Sequence, residues 1–118
     1  MPEITNPREL FLHELGDILY VERALVEEAL PKLIHEVQDE EFKSGLEKPL
    51  EQTQRHVTNV EKVFEMLGET PHEEECIAFE GLKKEHEEMT KESASSLIVL
   101  VDSGAATRTD NYEMAAYE

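Results

Sequence analysis

Basic residues and long apolar runs are both scarce in this chain of 118 residues. It has 11 Lys and Arg against 28 Asp and Glu, so its formal net charge at pH 7 is −17. Binding to nucleic acids and to anionic membranes depends on basic side chains that neutralise phosphates. The longest apolar run, residues 97–101, is far shorter than the roughly 20 residues of a membrane-spanning helix. We therefore expect neither nucleic acid nor a membrane as a partner.

Cysteine is nearly absent as well, and several common catalytic motifs are missing. The single cysteine, Cys76, cannot form an internal disulfide, and acidic neighbours disfavour its thiolate, so we do not predict a nucleophile there. The chain start has neither the basic region nor the apolar stretch of a signal peptide, and we predict a cytoplasmic protein. Without a Gly-rich phosphate loop, a Cys-x-x-Cys pair or a Gly-x-Ser-x-Gly turn, the usual nucleotide, zinc and hydrolase signatures are excluded.

What the chain has instead is helical periodicity. Asn6, Pro7 and Glu9 form a typical helix start, in which Asn6 caps the helix and Glu9 completes a capping box. Apolar residues that include Phe11 then recur at intervals of three and four, which predicts a helix over residues 7–37. Pro31 lies inside this helix, and we expect a kink there.

Three further helices are predicted beyond an acidic break at residues 38–40. The first spans residues 42–67, bends at Pro49 and ends at Gly68 as the C′ residue. A shorter helix follows the linker at residues 69–75, and Ser93 caps a last helix over residues 97–116. No run alternates strictly enough for a strand. We predict one all-α domain over residues 1–118, an antiparallel helical bundle with the short helix in a crossover.

Glu22 is the residue that points most directly to a function. It lies in the apolar stripe between Ile18 and Leu25, where an unpaired carboxylate would be costly to bury. Helix bundles that hold two metal ions project carboxylates inward in this way, often with a Glu-x-x-His turn. The alternative interpretation is that Glu22 pairs with an Arg or Lys, or extends to the edge of the bundle.

Four other residues are weaker candidates for the same site. His56 flanks the second apolar stripe, and Gln52 lies one turn before it. Asp110 and Glu113 share one face of the last helix, and two like charges on an inward face repel each other unless a cation lies between them. Each has a simpler interpretation, since a His at such an edge is often a surface residue and the whole surface is acidic.

Several longer segments form a set that resembles one known family. They include Leu-Phe-Leu-His-Glu-Leu at residues 10–15, Val-Glu-Arg at 21–23, Ala-Leu-Pro-Lys at 29–32, residues 50–64 and 76–82, and Tyr-Glu-Met-Ala-Ala-Tyr at 112–117. Together they resemble the ferritin-like proteins of the YciE/YciF type, which are associated with bacterial stress responses. The resemblance covers almost the whole chain.

The resemblance implies a ferritin-like bundle with a di-iron or di-manganese carboxylate site. Glu22 matches the glutamate of the family's first helix, whereas Gln52 and His56 stand where the second helix usually has Glu and Gln. Asp110 and Glu113 match the ends of a Glu-His-Tyr-Glu motif. Gln52 removes a bridging anion, and His56 restores one nitrogen ligand. The predicted metal ligands are therefore Glu22, Gln52, His56, Asp110 and Glu113, with iron or manganese as the metal.

The resemblance also implies one more long helix, which this chain is expected to lack. The open side of such a bundle is a natural surface for dimerisation, so we expect a homodimer. Two functions remain open. One is a stress-related metal-binding protein with oxygen or peroxide chemistry at open coordination positions. The other is a non-enzymatic helical bundle that has lost a competent site and acts through self-association or a partner.

Overall fold

The computed structural model describes residues 3–36 and 39–118, and all the regular secondary structure in these ranges is helical. The α-helices are α1 (Pro7–Ala24), α2 (Leu30–Glu36), α3 (Glu40–Met66), α4 (Ile77–Glu92) and α5 (Ile98–Tyr117). A π-helical turn, Leu25–Ala29, links α1 to α2, and a 3₁₀ turn, Ser95–Leu97, precedes α5. No strand occurs in these two ranges, and the predicted all-α helical bundle is confirmed. None of these helices combines the length and hydrophobicity that crossing a membrane requires.

Two compact units divide the chain, residues 1–75 and residues 76–118. In the first unit α1 packs along α3. Arg8, at the start of α1, donates to the Leu67 carbonyl just beyond the end of α3 at 2.8 Å. Arg23, at the other end of α1, donates to Glu61 at 3.3 Å. The two helices are therefore antiparallel, as predicted, while the single domain over residues 1–118 stays a prediction.

The core of the first unit comes from the facing apolar stripes of α1 and α3. Leu15 and Leu19 pack against Val60 and Phe64, and both Leu19 and Phe64 are fully buried. Phe11, predicted to belong to the stripe, is half-exposed, so that prediction is wrong. The reason is that Leu12 also lies one turn before Leu15, and Leu12 is the residue that packs against the core.

The start of α1 uses the predicted cap but a different partner for Glu9. Asn6 Oδ1 accepts a hydrogen bond from the Glu9 N–H at 2.9 Å, which confirms the N-cap. The Glu9 carboxylate does not complete the predicted capping box at Asn6. It accepts instead from the Thr5 N–H at 2.8 Å and the Thr5 hydroxyl at 3.1 Å. These hydrogen bonds lower the pKa of Glu9 below its ordinary value.

The helix adjusts to Pro31 in the turn that precedes it. The Leu30 N–H donates to the Leu25 carbonyl, five residues back, which is the π-helical pattern. Pro31 has no N–H to donate, and its ring crowds the carbonyl four residues earlier, so a change of hydrogen bonding at this point has a physical cause. The predicted end of the helix at Val37 lies outside the described residues.

Helix α3 begins and ends on well-formed caps. Asp39 Oδ1 accepts from the Phe42 N–H at 3.0 Å, so the helix begins at Glu40, two residues earlier than predicted. It continues through Pro49. At its end Gly68 has a φ of 76°, and its N–H donates to Glu65 while the next N–H donates to Phe64, each at 3.0 Å. This is a Schellman motif, and it confirms Gly68 as the C′ residue.

In the second unit, α4 and α5 form another antiparallel pair. Cys76, before α4, contacts the Tyr112 hydroxyl near the end of α5 at 2.9 Å. The prediction that Ser93 caps the last helix is wrong, because Ser93 is the extended C-cap residue of α4. The backbone is still extended at Ala94, and the next turn starts only where the Leu97 N–H donates to the Ala94 carbonyl at 2.9 Å.

Two glycine substitutions should change stability in opposite directions. Gly68→Ala should lower the free energy of unfolding by about 1 kcal/mol, because a left-handed backbone costs L-residues about 1–2 kcal/mol. Gly45→Ala, inside α3, should raise it by about 0.5–1 kcal/mol. A Cβ at Gly45 meets nothing within 4 Å. Urea denaturation of both variants measures the difference, and a stabilised Gly68→Ala variant would contradict the Schellman cap.

Candidate metal centre

Glu22 lies on α1 with its side chain completely removed from solvent. Its exposed fraction is 0%, although it carries a carboxylate. Neighbours on the same face, Leu19 and Leu25, are themselves buried. Because residues three and four apart share a helix face, the periodicity that buries Leu19 and Leu25 also carries Glu22 inward. The predicted inward position of Glu22 in the apolar stripe is therefore confirmed.

His56 on α3 brings an imidazole to this buried carboxylate. Its Nδ1 atom lies 3.5 Å from Glu22 Oε1, and the exposed fraction of its side chain is 48%. Two ligand atoms that are each about 2.1 Å from one metal ion at a tetrahedral angle lie about 3.4 Å apart. The observed separation thus suits two ligands of a single ion as well as a direct ion pair. Glu22 and His56 are the two predicted ligands that the first unit brings together.

The basic residue nearest to Glu22 in the sequence is directed elsewhere. Arg23 lies 3.3 Å from Glu61 and 3.6 Å from Glu73, both partly exposed acids. Because adjacent residues on a helix point in directions about 100° apart, Arg23 points toward the solvent while Glu22 points toward the apolar stripe of α1. Arg23 therefore pairs with Glu61 and Glu73.

The remaining predicted ligands lie on exposed or half-buried positions. Gln52 is exposed on α3, one turn before His56. On α5, in the second unit, Asp110 is exposed and Glu113 is half-buried. Partial desolvation raises the pKa of Asp110 above its ordinary value. Their roles as ligands stay predictions.

A second buried acid, Asp102 on α5, was not predicted. Its exposed fraction is 1%, and its Oδ1 atom lies 2.7 Å from Nε2 of His86 on α4. Among the described residues no hydrogen-bond partner reaches its Oδ2 atom. The signal was present, because Asp102 follows directly on the apolar run at residues 97–101. The pairing was not predictable, because nothing in the sequence around His86 indicates a contact with a residue 16 positions later.

Comparison with known proteins places this helical bundle in a family. The family DUF892, described as a domain of unknown function, matches residues 6–118. The chain belongs to the DUF892 family. A solved structure, YcfI from Rhodopseudomonas palustris, for which a structural role has been suggested, is similar to the chain with 34% sequence identity and a TM-score of 0.90. The match covers 98% of this chain and 73% of YcfI. No curated protein matches the chain.

Membership of DUF892 agrees with the YciF-like resemblance of the sequence. It supports the shared helical bundle, and the TM-score of 0.90 extends that agreement over almost all of this chain. The family description names no metal and no reaction. The chemistry of this DUF892 protein must therefore be argued from its own side chains.

Because His86 pairs with Asp102, substitutions of the two residues should have non-additive effects on the free energy of unfolding. His86→Ala should lower the free energy of unfolding by about 3 kcal/mol, because it leaves the Asp102 carboxylate buried without its imidazole. Adding Asp102→Ala should then cost less than it costs in the wild type. Urea denaturation of the double-mutant cycle tests this. His35→Ala, at an exposed position of α2, is the control and should change stability by less than about 0.5 kcal/mol. Additive effects of the two alanine substitutions would contradict the pairing.

Proposed function

We propose that this protein binds a transition-metal ion, iron or manganese, at Glu22 and His56 within a ferritin-like bundle. The stress-related role implied by the sequence resemblance belongs to the same proposal. One observation carries it, namely the complete burial of the Glu22 carboxylate beside the His56 imidazole. The other residues predicted as ligands, Gln52, Asp110 and Glu113, complete the proposed set.

The buried charge of Glu22 is the physical reason to expect a bound cation. Removing a carboxylate from water costs several kcal/mol unless a compensating charge and hydrogen bonds accompany it. A divalent ion between the carboxylate and the imidazole supplies two positive charges at that place. Nitrogen and oxygen donors of this kind suit iron and manganese, whereas soft metals favour thiolates.

The half-exposed position of His56 supports a reactive site rather than a closed one. Glu22 and His56 would hold the ion, and the half-exposed imidazole would leave it accessible to solvent on that side. Open coordination positions are where oxygen or peroxide binds in carboxylate metal sites, and this is the chemistry that a bound metal would supply here.

Removing the Glu22 charge should abolish metal binding at one site. Equilibrium dialysis against Mn²⁺ should show at least one ion fewer per chain in Glu22→Gln than in the wild type. Glu47→Gln, at an exposed position of α3, makes the same change of charge and should leave the number of bound ions unchanged. Without metal, Glu22→Gln should melt no lower than the wild type, because it removes a buried charge. Equal Mn²⁺ binding by all three proteins would overturn the proposal.

A second candidate function, a structural role through self-association, is favoured by the apolar surface of α5. Leu100 and Met114 are both 69% exposed, and Leu97 is half-exposed. Met114 lies two heptads beyond Leu100, so the two share one side of α5, and Leu97 lies in the turn directly before the helix. A second copy of this chain would cover that side. The suggested structural role of YcfI supports the same alternative.

Light scattering after gel filtration tests this alternative. The wild type should elute at twice the chain mass of 13.5 kDa. Leu100→Glu should elute as a monomer, because a charge inside an apolar interface is costly to bury. Gln54→Glu adds the same charge on the exposed surface of α3 and should remain a dimer. A monomeric wild type would exclude self-association as the function and would leave the metal proposal intact.

A further inference from the structure

A second group of metal-binding side chains lies on α1, two turns before Glu22. His13, Glu14 and Asp17 each offer a ligand atom, and these atoms lie within 4.8 Å of one another. His13 and Asp17 are four residues apart and therefore share one face of the helix. The Nδ1 atom of His13 is 3.8 Å from Asp17 Oδ2.

The linker after α3 adds a carboxylate to the other side of the same imidazole. The Glu74 N–H donates to the Gly16 carbonyl at 3.1 Å, which fixes the linker against α1. A Cβ atom at Gly16 would lie 2.7 Å from Glu74 Cγ and 3.3 Å from its backbone nitrogen, so this close approach requires glycine. As a result Glu74 Oε2 lies 4.0 Å from His13 Nε2.

His72 lies next to the Glu74 carboxylate. Its Nε2 atom is 3.8 Å from Glu74 Oε1, whereas His13 approaches the other oxygen, Oε2. The His72 ring in turn packs against Phe64 of the core, with ring centroids 5.0 Å apart. The position of the Glu74 carboxylate is thus tied to the hydrophobic core of the first unit.

The polar atoms at the centre of this group do not satisfy one another. His13 Nδ1 and Asp17 Oδ1 are both buried, and neither has a hydrogen-bond partner among the described residues. If the His13 ring carries its proton on Nε2, toward Glu74, the lone pair of Nδ1 faces the Asp17 carboxylate. Two acceptors that face each other without a donor are unfavourable, and a cation between them removes the conflict.

Further carboxylates lie near the same imidazole. Glu14 offers a ligand atom within 4.8 Å of those of His13 and Asp17, and Glu74 Oε2 lies 4.0 Å from His13 Nε2. Three carboxylates therefore surround one imidazole in a partly buried place.

We propose that His13 Nδ1, Asp17 and Glu14 bind a divalent transition-metal ion of the zinc type, with Glu74 as the positioning residue. A metal-bound histidine commonly donates its other ring N–H to a carboxylate, which fixes the tautomer and the ring orientation. Glu74 is the carboxylate on that side of the ring, with Oε2 4.0 Å from His13 Nε2. The imidazole nitrogen selects zinc-like ions over calcium and magnesium, which prefer oxygen ligands alone. A contraction of about 0.4 Å brings His13 and Asp17 to the separation of two ligands on one tetrahedral ion.

This site is independent of the proposed function, and the experiment separates the two. In the Glu22→Gln variant, which lacks the first site, calorimetric titration with Zn²⁺ should show one ion bound per chain. Adding His13→Gln should weaken binding by more than about 100-fold. Adding Glu74→Gln instead should weaken it by about 10- to 100-fold and keep the number of ions unchanged, which is the signature of a positioning residue. His35→Gln, at an exposed position, should leave the affinity unchanged.

Two results would overturn the proposal. One is equal Zn²⁺ affinity in the His13→Gln and His35→Gln variants. The other is a melting temperature of the Glu22→Gln variant that does not respond to Zn²⁺. Far-ultraviolet circular dichroism checks that each variant folds. If Glu22→Gln does not fold, His13→Gln in the wild-type chain should remove one Zn²⁺ per chain, and His35→Gln should remove none.

Discussion

The burial of the Glu22 carboxylate between α1 and α3 is the constraint on which the candidate site depends. The antiparallel contact of Leu15 and Leu19 with Val60 and Phe64 forms the core, and Glu22 continues the same face of α1 beyond it. The face of α1 that carries these apolar residues also carries this acid, and its burial is unfavourable unless a charge or a polar group compensates it. His56 is placed to provide part of that compensation, and a metal ion bound by both residues would provide the rest.

Carboxylates that face a histidine recur in the described residues. Glu22 faces His56 and Asp17 faces His13 in the first unit, while Asp102 faces His86 in the second. The three pairs differ in distance, from 2.7 Å for Asp102 and His86 to 3.8 Å for Asp17 and His13. The short pair is a direct hydrogen bond, whereas the longer separations leave room for an ion between the partners. In this strongly acidic chain, the two fully buried acids of the described residues, Glu22 and Asp102, each lie beside an imidazole.

Periodicity and cap chemistry predict much of the fold but only part of the candidate metal site. The inward position of Glu22 and the helix end at Gly68 were predictable, because both depend on neighbours within one or two turns. Asp102 and its histidine were missed, since the contact depends on how two helices pack. The approach of Glu74 to Gly16 was missed for a similar reason, because a linker has no periodicity that reveals its path. The helix faces and the resemblance together supplied the candidate metal ligands, whose roles as ligands no local pattern determines.

Anomalous diffraction from crystals soaked in Mn²⁺ tests whether the buried Glu22 carboxylate holds a cation. We expect an anomalous peak within coordination distance of both Glu22 and Nδ1 of His56. A map without a peak there, in which Glu22 and His56 contact each other directly at full occupancy, would contradict it.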